Sequence, residues 1–172
     1  MNIASVPSEV RKEKFEQWMR EYETAVLRTC FLYLADRAAA EDALQDTFIK
    51  VWRGMDKFER RNECSVKTWI MRIAINTCKD YKLSAWFRYV DKSESAEEAL
   101  VTRPGVQPAS RELYLDVLRL PEKCRQVILL CYYHHMTQDE AAFSLGISRS
   151  ALNRRLKKAY GLLHRPSEGR SI

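Results

Sequence analysis

Apolar residues recur at helical spacing in three segments of the N-terminal half of the chain. Apolar positions three or four residues apart are typical of amphipathic helices. The pattern predicts helices over residues 10–33, 40–55 and 66–83, with a short turn at 37–39 and a polar loop over 58–65. Three such helices joined by short loops can bury a common core. The predicted core positions are Phe15, Trp18, Met19, Tyr22, Val26, Leu27, Cys30, Leu44, Phe48, Val51, Trp52, Met55, Trp69, Ile70, Ile73, Ala74 and Thr77.

The composition changes after the third of these helices. The next segment contains the runs DKSESAEEA and TRPGVQPAS and has few positions that could enter a core. So long a segment without regular structure is uncommon inside one domain, which favours a linker. Beyond it we predict a helix over 110–120 and another that Pro121 opens, since proline is favoured at the first helical position. The pattern divides the chain into a tail (1–9), a domain (10–83), a linker (84–109), a second domain (110–165) and a second tail (166–172).

The run TQDEAAFSLGISRSALNRRLKKAY, residues 137–160, predicts a helix-turn-helix. Thr137 and Glu140 have the spacing of a capping box, which satisfies free amides at a helix start. Gly146 suits the tight exit from this helix because glycine tolerates positive φ. Ser148 can cap a second helix that is apolar beneath and cationic outside, with no acidic residue within it. Such a helix is suited to the major groove of DNA.

The composition agrees with an all-α protein that binds a polyanion. The chain has 172 residues, with only 5 glycines and 5 prolines, and β-branched alternation is hard to find in it. These properties favour helices over strands. The net charge of +6 favours a polyanionic partner. We therefore predict an all-α fold of two small helical domains joined by a flexible linker.

The sequence also favours a cytoplasmic protein without a cofactor. No apolar run is long enough to cross a bilayer, and the N-terminus lacks the layout of a signal peptide. The 5 cysteines are scattered without a C-x-x-C pair, which is typical of reduced thiols. Cys131, His134 and His135 lie close together, but no second pair of ligands is near them in the sequence. We therefore predict no metal site.

Three blocks of the sequence together resemble a bacterial sigma factor of the extracytoplasmic-function (ECF) type. They are AEDALQDTFIKVWRGMDKF, TWIMRIAINTCKDY and LPEKCRQVILLCYYHHMTQDEAAFSLGISRSALNRRLKKA. Each block is only moderately specific, but their order and spacing are very specific. The resemblance implies a non-enzymatic protein with two domains, region 2 and region 4. It would bind core RNA polymerase, recognise a two-part promoter and help to open the DNA. Many such proteins are held inactive at the membrane by an anti-sigma partner.

The resemblance also implies three sets of contact residues. Those that match the polymerase-docking face, which meets the β′ coiled coil, are Asp42, Gln45 and Asp46. They lie opposite an apolar stripe, so we expect them to be exposed. Region 4 would also meet the β flap. The positions that match the −10 element reader are Arg60, Arg61, Asn62, Glu63 and Ser65 in a loop, and Arg72, Asn76 and Lys79 on a helix. Those that match the −35 element reader are Arg149, Ser150, Asn153, Arg154, Arg155, Lys157 and Lys158.

The chain departs from the family in one place, and two other classes remain open at this stage. SRSALNRRL replaces a more common run with glycine, threonine and valine near the helix start, so the resemblance implies no particular −35 sequence. A conventional two-domain regulator that binds an operator would also contain a helix-turn-helix. An enzyme is disfavoured because the chain has no glycine-rich phosphate loop, paired catalytic carboxylates or nucleophile signature. No small-molecule substrate is predicted.

Overall fold

A computed structural model describes residues 8–61, 63–84 and 115–164, and the regular structure within these ranges is entirely helical. An N-terminal unit consists of three helices, and a C-terminal unit (115–164) begins with a helical segment at 115–119. The all-α prediction is confirmed. In the N-terminal unit the helices are α1 (Ser8–Leu34), α2 (Arg37–Arg61) and α3 (Val66–Leu83). In the C-terminal unit they are α4 (Glu122–Ile128), a π-helical turn (Leu129–Tyr133), α5 (Gln138–Leu145) and α6 (Arg149–Leu163).

The N-terminal unit packs around an aromatic cluster at one end of its core. The rings of Phe58 and Trp69 stack with centroids 4.4 Å apart, and Trp18 meets both of them edge-on. A Cβ added at Gly54 would lie 3.1 Å from the indole of Trp69, so this glycine lets α2 approach α3 closely. The cluster holds the last turns of α2 against the first turns of α3.

Helix α2 is longer at both ends than the apolar pattern predicts. The carboxylate of Asp36 accepts a 2.7 Å hydrogen bond from the amide of Ala39, so the predicted turn at 37–39 is the first turn of the helix. At the other end the helix continues to Arg61 because Phe58 is buried against the core. The predicted polar loop over 58–65 is therefore wrong in its first half.

The helix-turn-helix has the local structure that the sequence predicts. Thr137 and Glu140 form both hydrogen bonds of a capping box at the start of α5. Gly146 ends α5 in the left-handed conformation with φ 66°. The Ser148 hydroxyl then accepts a hydrogen bond from the Ala151 amide and caps α6. The predicted cap at 110 and the linker both fall outside the described residues, except that Ser84 ends α3.

The two units contact one another along α3 and α1. The side chain of Lys82 on α3 forms a 2.6 Å ion pair with Glu122 at the start of α4. Arg125 on α4 donates a 2.7 Å hydrogen bond to the carbonyl of Leu32 on α1. Helix α5 lies against α3. Within the described ranges, no helix is both long and apolar enough to cross a bilayer.

Candidate functional site

Helix α6 presents a basic face to solvent. Leu152, Leu156 and Ala159 are buried, and this stripe fixes the orientation of the helix on its neighbours. The opposite side carries cations, an amide and a hydroxyl that no packing contact covers. The exposed residues on it are Arg149, Ser150, Asn153, Arg154, Lys157 and Lys158. A helix that offers donors on one exposed face after a capped turn can enter a DNA groove.

Two of the arginines predicted to contact the −35 element also interact with other parts of the chain. Arg149 forms a 3.2 Å ion pair with Asp139 at the start of α5, and both side chains are largely exposed. Such a pair contributes little to stability, so a phosphate can displace the carboxylate readily. Arg155 is half-buried, and its charge lowers the pKa of the buried Tyr33 hydroxyl, although burial raises that pKa more. Arg155 is therefore close enough to Tyr33 on α1 for its charge to act on that hydroxyl.

Helix α3 places a second polar set on one side. Asn76 is exposed, with Arg72 one turn before it and Lys79 one turn after it. The Arg72 guanidinium lies 4.4 Å from the centroid of the Phe143 ring on α5. The Nζ atom of Lys79 lies 3.5 Å from the carbonyl oxygen of Leu145 at the end of α5. The structure thus brings the three predicted residues together, but the C-terminal unit contacts two of them.

The loop residues predicted to accompany this face are divided between two elements. Arg60 and Arg61 are exposed in the last turn of α2. Ser65 is the N-cap of α3, and its hydroxyl accepts a 3.1 Å hydrogen bond from the amide of Thr68. Glu63 is exposed. The predicted residue Asn62 lies outside the described residues.

The acidic face of α2 differs in one respect from the sequence prediction. Asp42 and Gln45 are exposed as expected. Asp46 is half-buried, and its carboxylate accepts a 2.9 Å hydrogen bond from the hydroxyl of Tyr81 on α3. Burial and this carboxylate raise the pKa of Tyr81 above its ordinary value. The expectation that all three side chains are freely exposed is therefore wrong for Asp46, since a helix distant in sequence supplies a partner.

An apolar groove beside Gln45 is a feature that sequence reasoning did not assign to the site. It has a volume of about 710 Å³ and lies between α1 and α2. Ile49 is 47% exposed on its wall. Met19 is 37% exposed there, so the prediction of a core position is wrong for Met19, which borders the groove instead. The signal in the sequence was Ile49, an apolar residue on the otherwise polar face of α2. The groove is lined by Phe15, Met19, Glu23, Leu44, Gln45, Phe48, Ile49, Trp52 and Arg53.

A buried histidine joins the two units, and it was also missed. His134 is buried, its Nε2 atom lies 2.9 Å from the hydroxyl of Thr29, and its carbonyl accepts a hydrogen bond from Lys67. Burial, with the charges of Lys67 and Arg28 and of the neighbouring His135, lowers its pKa from 6.5 to about 4. The imidazole is therefore neutral in this arrangement. A histidine run at a helix end gives no sequence signal for a partner on α1.

Comparison with known proteins decides the family. Residues 18–88 match the Sigma-70 region 2 family, and residues 111–163 match the Sigma-70 region 4 family. The chain is 32% identical over 145 residues to the RNA polymerase sigma-H factor of Pseudomonas aeruginosa, covering 76% of this chain and 74% of that protein. It is 26% identical over 151 residues to the ECF RNA polymerase sigma factor SigW of Bacillus subtilis, covering 80% of each. The chain belongs to the ECF sigma factors.

As a sigma factor, the protein is a transcription initiation factor and not an enzyme. The resemblance to the family is confirmed, and the alternative of an operator-binding regulator is not supported. The fold is similar to that of the sigma factor RpoE from Bartonella quintana, solved with the anti-sigma factor NepR. That comparison has a TM-score of 0.69 at 18% identity and covers 88% of this chain and 94% of that one. The N-terminal unit corresponds to region 2 and the C-terminal unit to region 4.

Proposed function

We propose that this sigma factor binds core RNA polymerase, directs it to promoters with two conserved elements and promotes DNA melting. The observation that carries the proposal is the exposed basic face of α6. The polar face of α3 and the acidic face of α2 lie on two other helices. In this proposal region 2 spans residues 10–83 and region 4 spans 110–165. The linker covers 84–109, with tails at 1–9 and 166–172. The protein would act in the cytoplasm, where the polymerase and the DNA are.

The polymerase would dock on α2 and the groove beside it. Asp42 and Gln45 are exposed and can pair with basic and polar groups on the β′ coiled coil. The groove would take apolar side chains of the same partner, because an apolar centre with a polar rim is typical of protein interfaces. Asp46 would contribute its carboxylate, which also accepts the hydrogen bond from Tyr81. Region 4 would make a second contact with the β flap.

Region 4 would read the −35 element as a duplex. Asn153 and Arg154 are adjacent, exposed and close to the start of α6, where side chains reach base edges in a major groove. Lys157 and Lys158 follow one turn later and would hold phosphates. Arg149 and Ser150 would contact the DNA at the first turn of α6. Arg155, which is half-buried, would contact a phosphate at the edge of the exposed face.

Region 2 would bind the −10 element as a single strand. A base that leaves the stack offers its hydrogen-bonding edge, and an exposed amide such as that of Asn76 can both donate to it and accept from it. Arg72 and Lys79 would meet the backbone on either side. Arg60, Arg61, Asn62 and Ser65 would border the pocket from the loop side, with Ser65 also fixing the start of α3.

An anti-sigma protein would control the availability of this chain. The similar RpoE chain was solved with an anti-sigma factor, which supports a partner of that class here. We propose that such a protein binds the chain while region 4 is packed against region 2. An anti-sigma protein anchored in the membrane would hold the chain at the inner face of that membrane. Release would then leave the chain free to meet the polymerase.

Run-off transcription with core polymerase on a pool of random promoters tests the proposal. The holoenzyme should produce transcripts whose templates share two elements, whereas core polymerase alone should not. The control is a chain with Asp42→Arg and Gln45→Arg, which should fail to co-purify with core polymerase while keeping its helical circular dichroism. Transcripts that do not depend on the sigma factor, or equal co-purification of the control, would show the proposal to be wrong.

A further inference from the structure

The first residue of α6 is paired with the first turn of α5. The Nη1 atom of Arg149 lies 3.3 and 3.2 Å from the two carboxylate oxygens of Asp139, so one nitrogen donates to both. The Nε and Nη2 atoms of Arg149 form no hydrogen bond within the part of the chain that the structure describes. These two atoms lie on one edge of the planar guanidinium, where they form a fork of donors. Arg149 therefore contacts Asp139 through one nitrogen and keeps a complete fork available.

Arg149 occupies a position from which a side chain can reach base edges. It is the first residue of α6, and its side chain is 61% exposed. In a helix-turn-helix the N-terminal residues of the second helix contact the bases in the major groove. Asn153 lies four residues further on, about 6 Å along the axis, and shares this side of α6. Arg149 would therefore meet a base next to those that Asn153 reads.

Guanine is the base that matches the available fork of Arg149. It presents two acceptors to the major groove, O6 and N7, and an arginine that donates to both makes the commonest specific contact between proteins and DNA. A lysine carries the same charge but has no planar fork, so it cannot make this contact in the same way. The contact needs only Nε and Nη2, so Nη1 can stay on Asp139. The carboxylate would then restrict the orientation of the fork.

A phosphate is the other partner that Arg149 could take, and the position of Asp139 disfavours it. The pair is exposed and therefore weak, so a phosphate is able to displace the carboxylate. The displaced carboxylate would be left unpaired beside the DNA, because the first helix of a helix-turn-helix crosses the backbone. A base contact leaves the pair with Asp139 intact. Reading a base thus satisfies both residues, whereas holding a phosphate satisfies only Arg149.

We propose that Arg149 reads a guanine at one end of the −35 element and that Asp139 is the positioning residue for its guanidinium. The inference rests on the proposed function, because it takes α6 to be the helix that reads this element. It adds a particular base to that function. The start of α6 is also where the run SRSALNRRL departs from the more common family run. The guanine preference is therefore a property of this chain that the resemblance does not imply.

A promoter library randomised across the −35 element tests the pair. Holoenzyme reconstituted with each full-length variant transcribes the library, and sequencing of the transcripts gives the base preference at each position. Arg149→Ala removes the fork, Arg149→Lys keeps the charge without the fork, and Asp139→Ala removes the carboxylate. The matched control is Asp116→Ala. It also removes an exposed carboxylate paired with an arginine, Arg119 at 3.6 Å, but it lies outside the helix-turn-helix.

The expected changes are confined to one position of the element. Arg149→Ala and Arg149→Lys should both lose a guanine preference of about tenfold there and leave the other positions unchanged. Asp139→Ala should weaken the same preference by about threefold, as for the loss of one exposed ion pair. Asp116→Ala should change no position. In an Arg149→Ala background, Asp139→Ala should have no further effect at that position, because two residues that act through one contact are not additive.

Two results would overturn the inference. A uniform loss across the library for Arg149→Ala, with wild-type behaviour of Arg149→Lys, would mean that Arg149 only holds a phosphate. An Asp139→Ala profile equal to that of Asp116→Ala would mean that Asp139 does not position the guanidinium. Circular dichroism of each variant should match that of the wild-type chain, since all the substituted side chains are exposed.

The wild-type chain separates this inference from the proposed function. If it selects promoters with two elements and Arg149→Ala changes no position of the upstream one, only this inference is wrong. If the wild-type chain gives no transcripts with core polymerase, the proposed function fails, and the inference fails with it.

Discussion

The hydroxyl of Thr29 on α1 and the Nε2 atom of His134 in region 4 lie 2.9 Å apart in a buried contact between the two regions. The surroundings of the imidazole are cationic: Lys67 reaches it from α3, Arg28 from α1, and His135 is its neighbour in sequence. Burial is the largest cause of the lowered pKa of His134, and these charges lower it further. We therefore expect the packing of region 4 against region 2, the closed form of the chain, to depend on pH.

Acid should open the chain. In the closed arrangement the pKa of His134 is about 4, and after opening it should return to about its ordinary 6.5. Between pH 6.5 and pH 4 only the open form takes up the proton. The equilibrium between the closed and open forms is therefore unaffected by this group above pH 6.5. It shifts towards the open form by about tenfold for each pH unit below that value. Small-angle scattering from pH 7.5 to 5 should show expansion. His134→Gln keeps a hydrogen-bonding group without this titration, so expansion that persists unchanged in it would contradict the assignment.

Substitutions at Asp46 and at Tyr81 should affect different properties, polymerase binding in the first case and the unfolding free energy in the second. Asp46→Asn can still accept the hydrogen bond from Tyr81, but it removes the charge that a basic partner would contact. It should weaken binding to core polymerase, measured by native-gel titration, and change the unfolding free energy little. Tyr81→Phe should instead lower the unfolding free energy by about 1 kcal/mol and leave polymerase binding unchanged. The reverse result would show that Asp46 has only a structural role.

Two glycines within helices should respond oppositely to alanine. Gly54→Ala places a Cβ 3.1 Å from the Trp69 ring, which cannot retreat because it stacks on Phe58. Overpacking costs about 1–3 kcal/mol and exceeds the helix propensity gained, so the thermal midpoint should fall. Gly161→Ala has no atoms nearby to meet its Cβ and should raise stability by up to about 1 kcal/mol. Equal thermal midpoints for the two variants would mean that the Trp69 contact is loose.

Base reading and phosphate anchoring on α6 should separate in a promoter library. Asn153→Ala and Arg154→Ala should relax the preference at particular −35 positions, because one good contact between a side chain and a base discriminates by about 1–3 kcal/mol. Lys158→Ala should weaken binding to all sequences alike and make the salt dependence shallower by about one phosphate contact. Library sequencing at two salt concentrations measures both effects. A uniform loss for all three variants would refute the division.

The features that depend on neighbouring residues were predictable from the sequence. The helix-turn-helix follows from Thr137, Gly146 and Ser148, each of which acts within a few residues of its own position. The limits of α2 were not predictable from its apolar stripe, because Asp36 and Phe58 extend it through a cap and a core contact. The π-helical turn before the histidines likewise leaves no periodic signal.

Contacts between helices that are distant in sequence could not be predicted from the apolar pattern. The partner of Asp46 is 35 residues away, and that of His134 is 105 residues away. Each region satisfies its own amphipathic pattern, so nothing in the pattern indicates that α5 covers part of α3. The basic face of α6 was identified correctly as exposed, because exposure there follows from the apolar stripe on its own helix.

The double hydrogen bonding of Glu140 has a consequence for genetics. Its carboxylate closes the capping box with Thr137 and also accepts a hydrogen bond from Thr68. Any substitution that releases α3 through this residue would also fray the helix-turn-helix, so the opened chain would lose its upstream recognition at the same time. A screen for variants in which the two units separate but upstream recognition is kept should therefore pass over codon 140. It should recover changes at Phe143 and Ser144, whose loss leaves the cap intact.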